Sequence, residues 1–203
     1  MMRAVAAAVA LSALVCVPAH AQDATRLVAA ARAQVGVTTI YDPAYVRIAY
    51  PDGDVSADRG VCADVIVRAF RADGIDLQQL VHDDMTAHFR AYPQTWRLRG
   101  PDTNIDHRRV PNLETYFRRH GDALPITAQA SDYRAGDVVS WRLPNGLAHI
   151  GIVSDRLVAV DSGGPLVIHN IGNGTQEENV LFAWKIVGHF RWKFPATARA
   201  VAR

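Results

Sequence analysis

Three residues have the types and the setting to do chemistry together. Cys62 follows Asp58-Arg59-Gly60-Val61 and opens the series Cys62, Val65, Ile66, Ala69 and Phe70, whose spacing describes one face of a helix. In the first turn of a helix a cysteine sits among N–H groups without intrahelical partners, at the positive end of the helix dipole. Both favour a thiolate and predict a lowered pKa, with Arg59 adding positive charge. A thiolate nucleophile needs an imidazole to move its proton and a third group to orient that imidazole. His149 and His169 each lie in a short β-branched run, Ala148-His149-Ile150-Gly151-Ile152-Val153 and Leu166-Val167-Ile168-His169. Asn170 is an alternative orienting group. Side chains alternate along a strand, so only one of His169 and Asn170 can face His149. An inert buried cysteine and two hydrogen-bonded core histidines are the competing explanation. The helix-start position of Cys62 and the pair of strand histidines favour catalysis over it.

The rest of the chain bounds what such a site could serve. Residues 1–3 carry one positive charge, 4–17 form an apolar run, and Ala19-His20-Ala21 has the small-x-small form of a leader cleavage site. Cleavage after Ala21 is expected, giving a periplasmic protein of residues 22–203 in one domain. The apolar run is too short to span a bilayer, and no later stretch in the mature chain approaches the ~20 residues required. Of the two cysteines, Cys16 would leave with the leader and Cys62 would remain alone, so no internal disulfide is expected. A net charge of +2 offers no field for nucleic acid or anionic lipid.

Two other clusters are better explained without chemistry. His82, Asp83, Asp84 and His88 lack a metal-binding spacing, and six residues separate the histidines, placing them on different faces of a helix. Asp161-Ser162-Gly163-Gly164-Pro165 looks like a serine-protease loop but reads better as a turn between strands. No metal and no organic cofactor is expected.

Helices that would position the cysteine come first. Asp23 is a candidate N-cap, followed by Leu27, Val28, Ala31 and Val35 at helical spacing up to Gly36. A loop rich in Tyr, Pro and Asp covers 41–58, the cysteine helix runs from Val61 to Gly74, and further helices are predicted over 77–89 and 110–120. After Gly136 the pattern becomes extended, with strands predicted over 137–141, 148–153 and 166–169 and a last one over 184–192 closing the sheet. Helices followed by meandering strands predict an α+β fold with an antiparallel sheet carrying helices on one side.

With those residues in place, a resemblance emerges. Gly60-Val61-Cys62-Ala63-Asp64-Val65-Ile66-Val67, ending in Asp73-Gly74-Ile75-Asp76-Leu77, resembles the cysteine helix of NlpC/P60 endopeptidases. Tyr133-Arg134-Ala135-Gly136-Asp137-Val138-Val139 is similar to their Pro-Gly-Asp-Leu-Val strand, Ala148 to Val153 to their Ser-His-Val-Gly-Ile-Tyr strand, and Val167-Ile168-His169 to their Phe-Ile-His strand. The whole mature chain further resembles a family of uncharacterised secreted bacterial proteins within that superfamily. Its marks are Tyr-Asp-Pro at 41–43, Ile-Asp-His-Arg-Arg-Val-Pro-Asn at 105–112, His-Asn at 169–170 and Gly-His-Phe-Arg at 188–191. The resemblance implies a papain-like fold, with Cys62 as nucleophile, His149 as base and His169 as orienting residue. It also implies hydrolysis of amide bonds in peptidoglycan stem peptides.

The chain departs from that pattern in two places. Ala63-Asp64 replaces the usual Ser-Gly after the cysteine, and the 149-to-169 interval is long. Asp64 could bind a substrate amine or serve only in the helix's first turn. Arg59, Arg108 and Arg109 could hold substrate carboxylates, and Trp141 and Trp96 could line a groove. Two other functions use the same residues: a catalytically silent wall-binding protein, and a cysteine amidase or acyltransferase acting on something other than the wall. The scissile bond and the oligomeric state stay open.

Overall fold

The structure is a computed structural model that describes residues 19–159 and 163–194. The apolar leader and the Asp161-Ser162 pair lie outside the described residues. Among those residues the chain folds as α+β, with four α-helices and an antiparallel six-stranded sheet. The helices are α1 (Ala19–Arg32), α2 (Cys62–Ala72), α3 (Leu77–His88) and α4 (Val110–His120). The strands are β1 (Ile40–Tyr41), β2 (Arg59–Gly60), β3 (Asp122–Ala123), β4 (Val138–Arg142), β5 (Ala148–Leu157), β6 (Pro165–Asn170), β7 (Thr175–Glu178) and β8 (Lys185–Arg191). Among the described residues no helix is long and apolar enough to cross a membrane.

Local signals account for most of these boundaries. Asp76 caps α3 by accepting from Gln78 N–H, and Pro111 occupies the first turn of α4, where a missing N–H costs nothing. α1 differs from expectation. It begins at Ala19, ahead of Asp23. Asp23 instead accepts from Arg26 at 2.8 Å.

The sheet order is β3-β8-β4-β5-β6-β7, and the short pair β1-β2 is parallel. β8 therefore does not close the sheet as expected; it inserts between β3 and β4, and the far edge is β7. That strand, Thr175-Gln176-Glu177-Glu178, escapes sequence reading because four polar residues carry no apolar alternation.

Both sheet faces are buried. Val138, Ile150, Ile152, Ile168 and Phe190 pack with Leu27, Ala63, Val65, Ile66, Phe70 and Phe117 from the helices. The alternate positions Val139, Trp141, Val153 and Val167 face the opposite way and are covered by Tyr133 and Leu181 from the connecting segments. Burial on both sides explains why these strands read as near-continuous apolar runs. Gly151 sits where β5 and β6 press together. A β-carbon there would stand 2.6 Å from Val167 Cγ1 and 3.0 Å from Ile168 O, and 3.2 Å from the β-carbon of His169.

Candidate active site

The site is built where the start of α2 meets the start of β5. Val61 is the N-cap of α2 and Cys62 its first residue, so Cys62 stands in the first turn as expected. Val61 has no polar side chain to cap the helix. The reciprocal bond is made instead by Asp64, whose Oδ2 accepts from Val61 N–H at 2.6 Å. Asp64 is itself clamped by Arg108, whose Nε and Nη2 donate to its two carboxylate oxygens at 2.8 and 2.9 Å. Arg108 uses its remaining donors on the carbonyls of Ala44 and Asp42 at 3.0 and 3.2 Å. The loop before α2 is thereby tied to the helix that carries Cys62 through a buried ion pair.

Cys62 is 5% exposed. The N–H groups of Ile150, Ala63 and Cys62 itself all bear on its sulfur and favour a thiolate. Burial outweighs them and pushes the thiol up to about 12, aided by the nearby charge of Asp64. This corrects the lowered pKa expected from helix position alone. The sulfur rests as S–H.

His149 is 2% exposed and His169 fully buried. His149 Nε2 and His169 Nδ1 are 2.9 Å apart in a direct ring-to-ring hydrogen bond. Trp141 and Trp184 close over His149, with ring centroids 5.6 and 5.5 Å away. Burial lowers the His149 imidazole to about 3, and the neighbouring His169 pushes in the same direction. His149 is thus neutral at pH 7, a state that can accept a proton. Among the described residues its Nδ1 has no hydrogen-bond partner, and no hydrogen bond joins the thiol to the ring. Strand alternation turns His149 to the face of Trp141 and Val153, away from the face that packs on α2, so the expected Cys62–His149 contact is not formed in this structure. The thiol instead rests against the N–H of Ile150, the residue after His149.

Strand alternation decides between the two candidate orienting residues. His169 shares the face of Val167 and meets His149. Asn170 turns to the helix side, where its Nδ2 donates to Gly60 O at 3.1 Å and its Oδ1 accepts from Gly172 N–H at 3.3 Å. Asn170 braces the loop that delivers Cys62.

Few of the expected substrate-binding residues are free to bind anything. Asp64 and Arg108 are spent on each other, which corrects the expectation for both. Trp141 is fully buried with its Nε1 donating to Leu181 O at 2.9 Å, so it packs against His149 and lines no groove. Arg109 lies over Trp96, 4.3 Å from the ring centroid, and 3.4 Å from Asp106. Arg59 alone stays at the rim beside Cys62, 41% exposed, paired with Asp42 at 3.2 Å and Asp58 at 3.5 Å. Among the described residues no three His, Cys, Asp or Glu side chains are arranged to hold a metal ion.

Three neighbours of the site were not singled out by sequence. Tyr41 is joined to Gly60 by the β1-β2 pairing, and burial raises its phenol, with the charges of Cys62 and Asp64 adding to the effect. Trp184 packs against both histidines. Glu178 Oε2 lies 3.0 Å from His169 Nε2. The Tyr-Asp-Pro motif was a signal for the first, but nothing local marked the other two.

The chain is 61% identical over 162 residues to the uncharacterised protein YijF of Escherichia coli strain K12, a match covering 80% of this chain and 78% of that one. Residues 28–192 match the family described as a domain of unknown function, DUF1287, and that interval runs from α1 past β8, taking in Cys62, His149 and His169. With most of its length inside that match, the chain belongs to the DUF1287 family.

Proposed function

We propose that this protein is a papain-like cysteine hydrolase of the NlpC/P60 type. On this reading it is exported by its N-terminal leader to the periplasm and cleaves amide bonds in peptidoglycan stem peptides. One observation carries the reading. A helix-start thiol rests against the strand that bears His149, while His149 is bonded through Nε2 to His169.

In the chemistry proposed, Cys62 Sγ attacks the amide carbonyl carbon as its proton passes to His149 Nδ1, a transfer that requires the ring to reach the sulfur from the other face of β5. The carbonyl oxygen takes the negative charge, and Cys62 N–H, which has no helix partner, is the proposed donor to it. Collapse of the tetrahedral species breaks the C–N bond, and the amine leaves with the proton held on His149. Water then attacks the thioester, giving its proton to His149; the C–S bond breaks and the thiol is reprotonated. His169 keeps the His149 ring in one orientation through both steps. Since thiol and imidazole both rest neutral, proton transfer accompanies attack and no thiolate is stored beforehand.

The sealed, un-ionised thiol is also the one feature that favours a catalytically silent wall-binding protein. Product masses decide between them. Incubation with purified muropeptides, and in parallel with peptides unrelated to the wall, should yield an acid and an amine fragment from muropeptides with the wild type and none with Cys62→Ala. Cleavage of the unrelated peptides alone would move the activity to another amide substrate. No product from either would refute the hydrolase reading.

A further inference from the structure

We propose that Glu178 is a positioning residue that fixes the tautomers of both histidines, and so determines which nitrogen of His149 is basic. The proposal rests on the hydrolase reading for its purpose but not for its geometry.

Glu178 is on edge strand β7, which pairs with β6 so that His169 faces Gln176 and Val167 faces Glu178. His169 and Val167 share a face, which makes Glu178 the diagonal neighbour of His169, within reach of a long side chain. Its Oε2 stands 3.0 Å from His169 Nε2. That nitrogen is buried and has no well-aligned hydrogen-bond partner. The carboxylate is close but off the line of the ring N–H, and among the described residues no other group is placed to satisfy it.

The consequence follows from which atoms can donate. A carboxylate only accepts, so it holds the proton of His169 on Nε2. With both rings neutral, His169 Nδ1 is then a lone pair. The 2.9 Å bond to His149 Nε2 can exist only if His149 carries its own proton on that nitrogen. His149 Nδ1, the ring nitrogen without a protein partner, is left as the base. Reversal of the tautomer on His169 would reverse it on His149 and cover the lone pair that the thiol proton needs. Burial keeps both rings neutral, as this relay requires. The Glu178 side chain is 41% exposed while its Oε2 reaches inward to the ring.

The test reads the tautomers directly. Long-range ¹H–¹⁵N correlation spectra of the wild-type protein near pH 7, without substrate, should show His149 and His169 each protonated on Nε2. Glu178→Ala removes the acceptor. Glu178→Gln, nearly the same shape, replaces an acceptor with a group that can also donate. Both variants should lose the single tautomer on both rings while remaining folded. Any activity found on muropeptides should fall roughly 10- to 10²-fold in kcat with KM changed less than about twofold, a smaller loss than for removing His169 itself. A wild-type spectrum with His169 protonated on Nδ1 would overturn the proposal, as would ring shifts that stay unchanged in both variants. The expected tautomers without turnover of any substrate would refute the hydrolase reading and leave the positioning role standing.

Discussion

Asp64→Ala should be among the most destabilising single changes in this protein. Asp64 and Arg108 side chains are each 3% exposed and joined by two charge-assisted hydrogen bonds. Without Asp64 the Arg108 guanidinium stays buried with only the carbonyls of Ala44 and Asp42 to hold it. An uncompensated buried charge costs about 3–5 kcal/mol. Val61 N–H loses its acceptor as well, worth roughly another 1 kcal/mol, although the two losses share a residue and will not simply add. About 4 kcal/mol is the expected total, and for a chain of this size that lowers Tm by roughly 8–16 °C. Urea unfolding should show a lower midpoint with an unchanged slope. Asp64→Ala/Arg108→Met carries no unpaired charge and should recover about half of the loss. A Tm drop under about 3 °C for the single variant, or a double variant no better than the single, would refute the ion pair as the brace of the α2 N-terminus. Asp64 would then be open again as a substrate-binding residue.

The remaining expectations concern the site and its pH dependence. If muropeptide cleavage is found, Cys62→Ser and His149→Ala should each abolish it, and His169→Ala should lower kcat by about 10²–10⁴-fold; a larger effect from Asn170→Ala would return the orienting role to Asn170. A thiol at about 12 with 5% exposure should resist a disulfide reagent at neutral pH in native protein and react fully in urea; rapid native labelling would show that burial does not dominate the thiol's environment. His107 is 2% exposed and lowered to about 4, mainly by burial, against about 6.5 in the unfolded chain. The unfolded state therefore takes up the proton first, and stability should fall as pH drops from about 6.5 to about 4, by about 3 kcal/mol at completion. His107→Gln should flatten that part of the curve, and an unchanged slope between those pH values would contradict the assignment.

Sequence alone determined what depends on near neighbours along the chain. The i, i+3, i+4 spacing after Cys62 gave α2 because helical contacts are local, and that placed the thiol in a first turn. Gly74 and Asp76 marked the boundary between α2 and α3 for the same reason. β-branched runs around His149 and His169 gave the strands, and strand alternation alone required that His169 and Asn170 face opposite ways. Which of them meets His149 depends on the register between β5 and β6, set by long-range pairing and by the close approach that Gly151 permits. Tertiary structure also decided the ionisation of the site. The helix dipole and the N–H groups at the start of α2 are local and favour a thiolate, but burial beneath β5 is not local, and it outweighs them. Asp64 and Arg108 looked like substrate contacts because both are charged and near the motif; they are each other's partners because the fold brings residues 44 positions apart into one buried ion pair. Glu178 was invisible for a related reason. It sits on a four-residue polar edge strand with no periodic signal, and its meaning comes only from the β6-β7 pairing that brings it to His169.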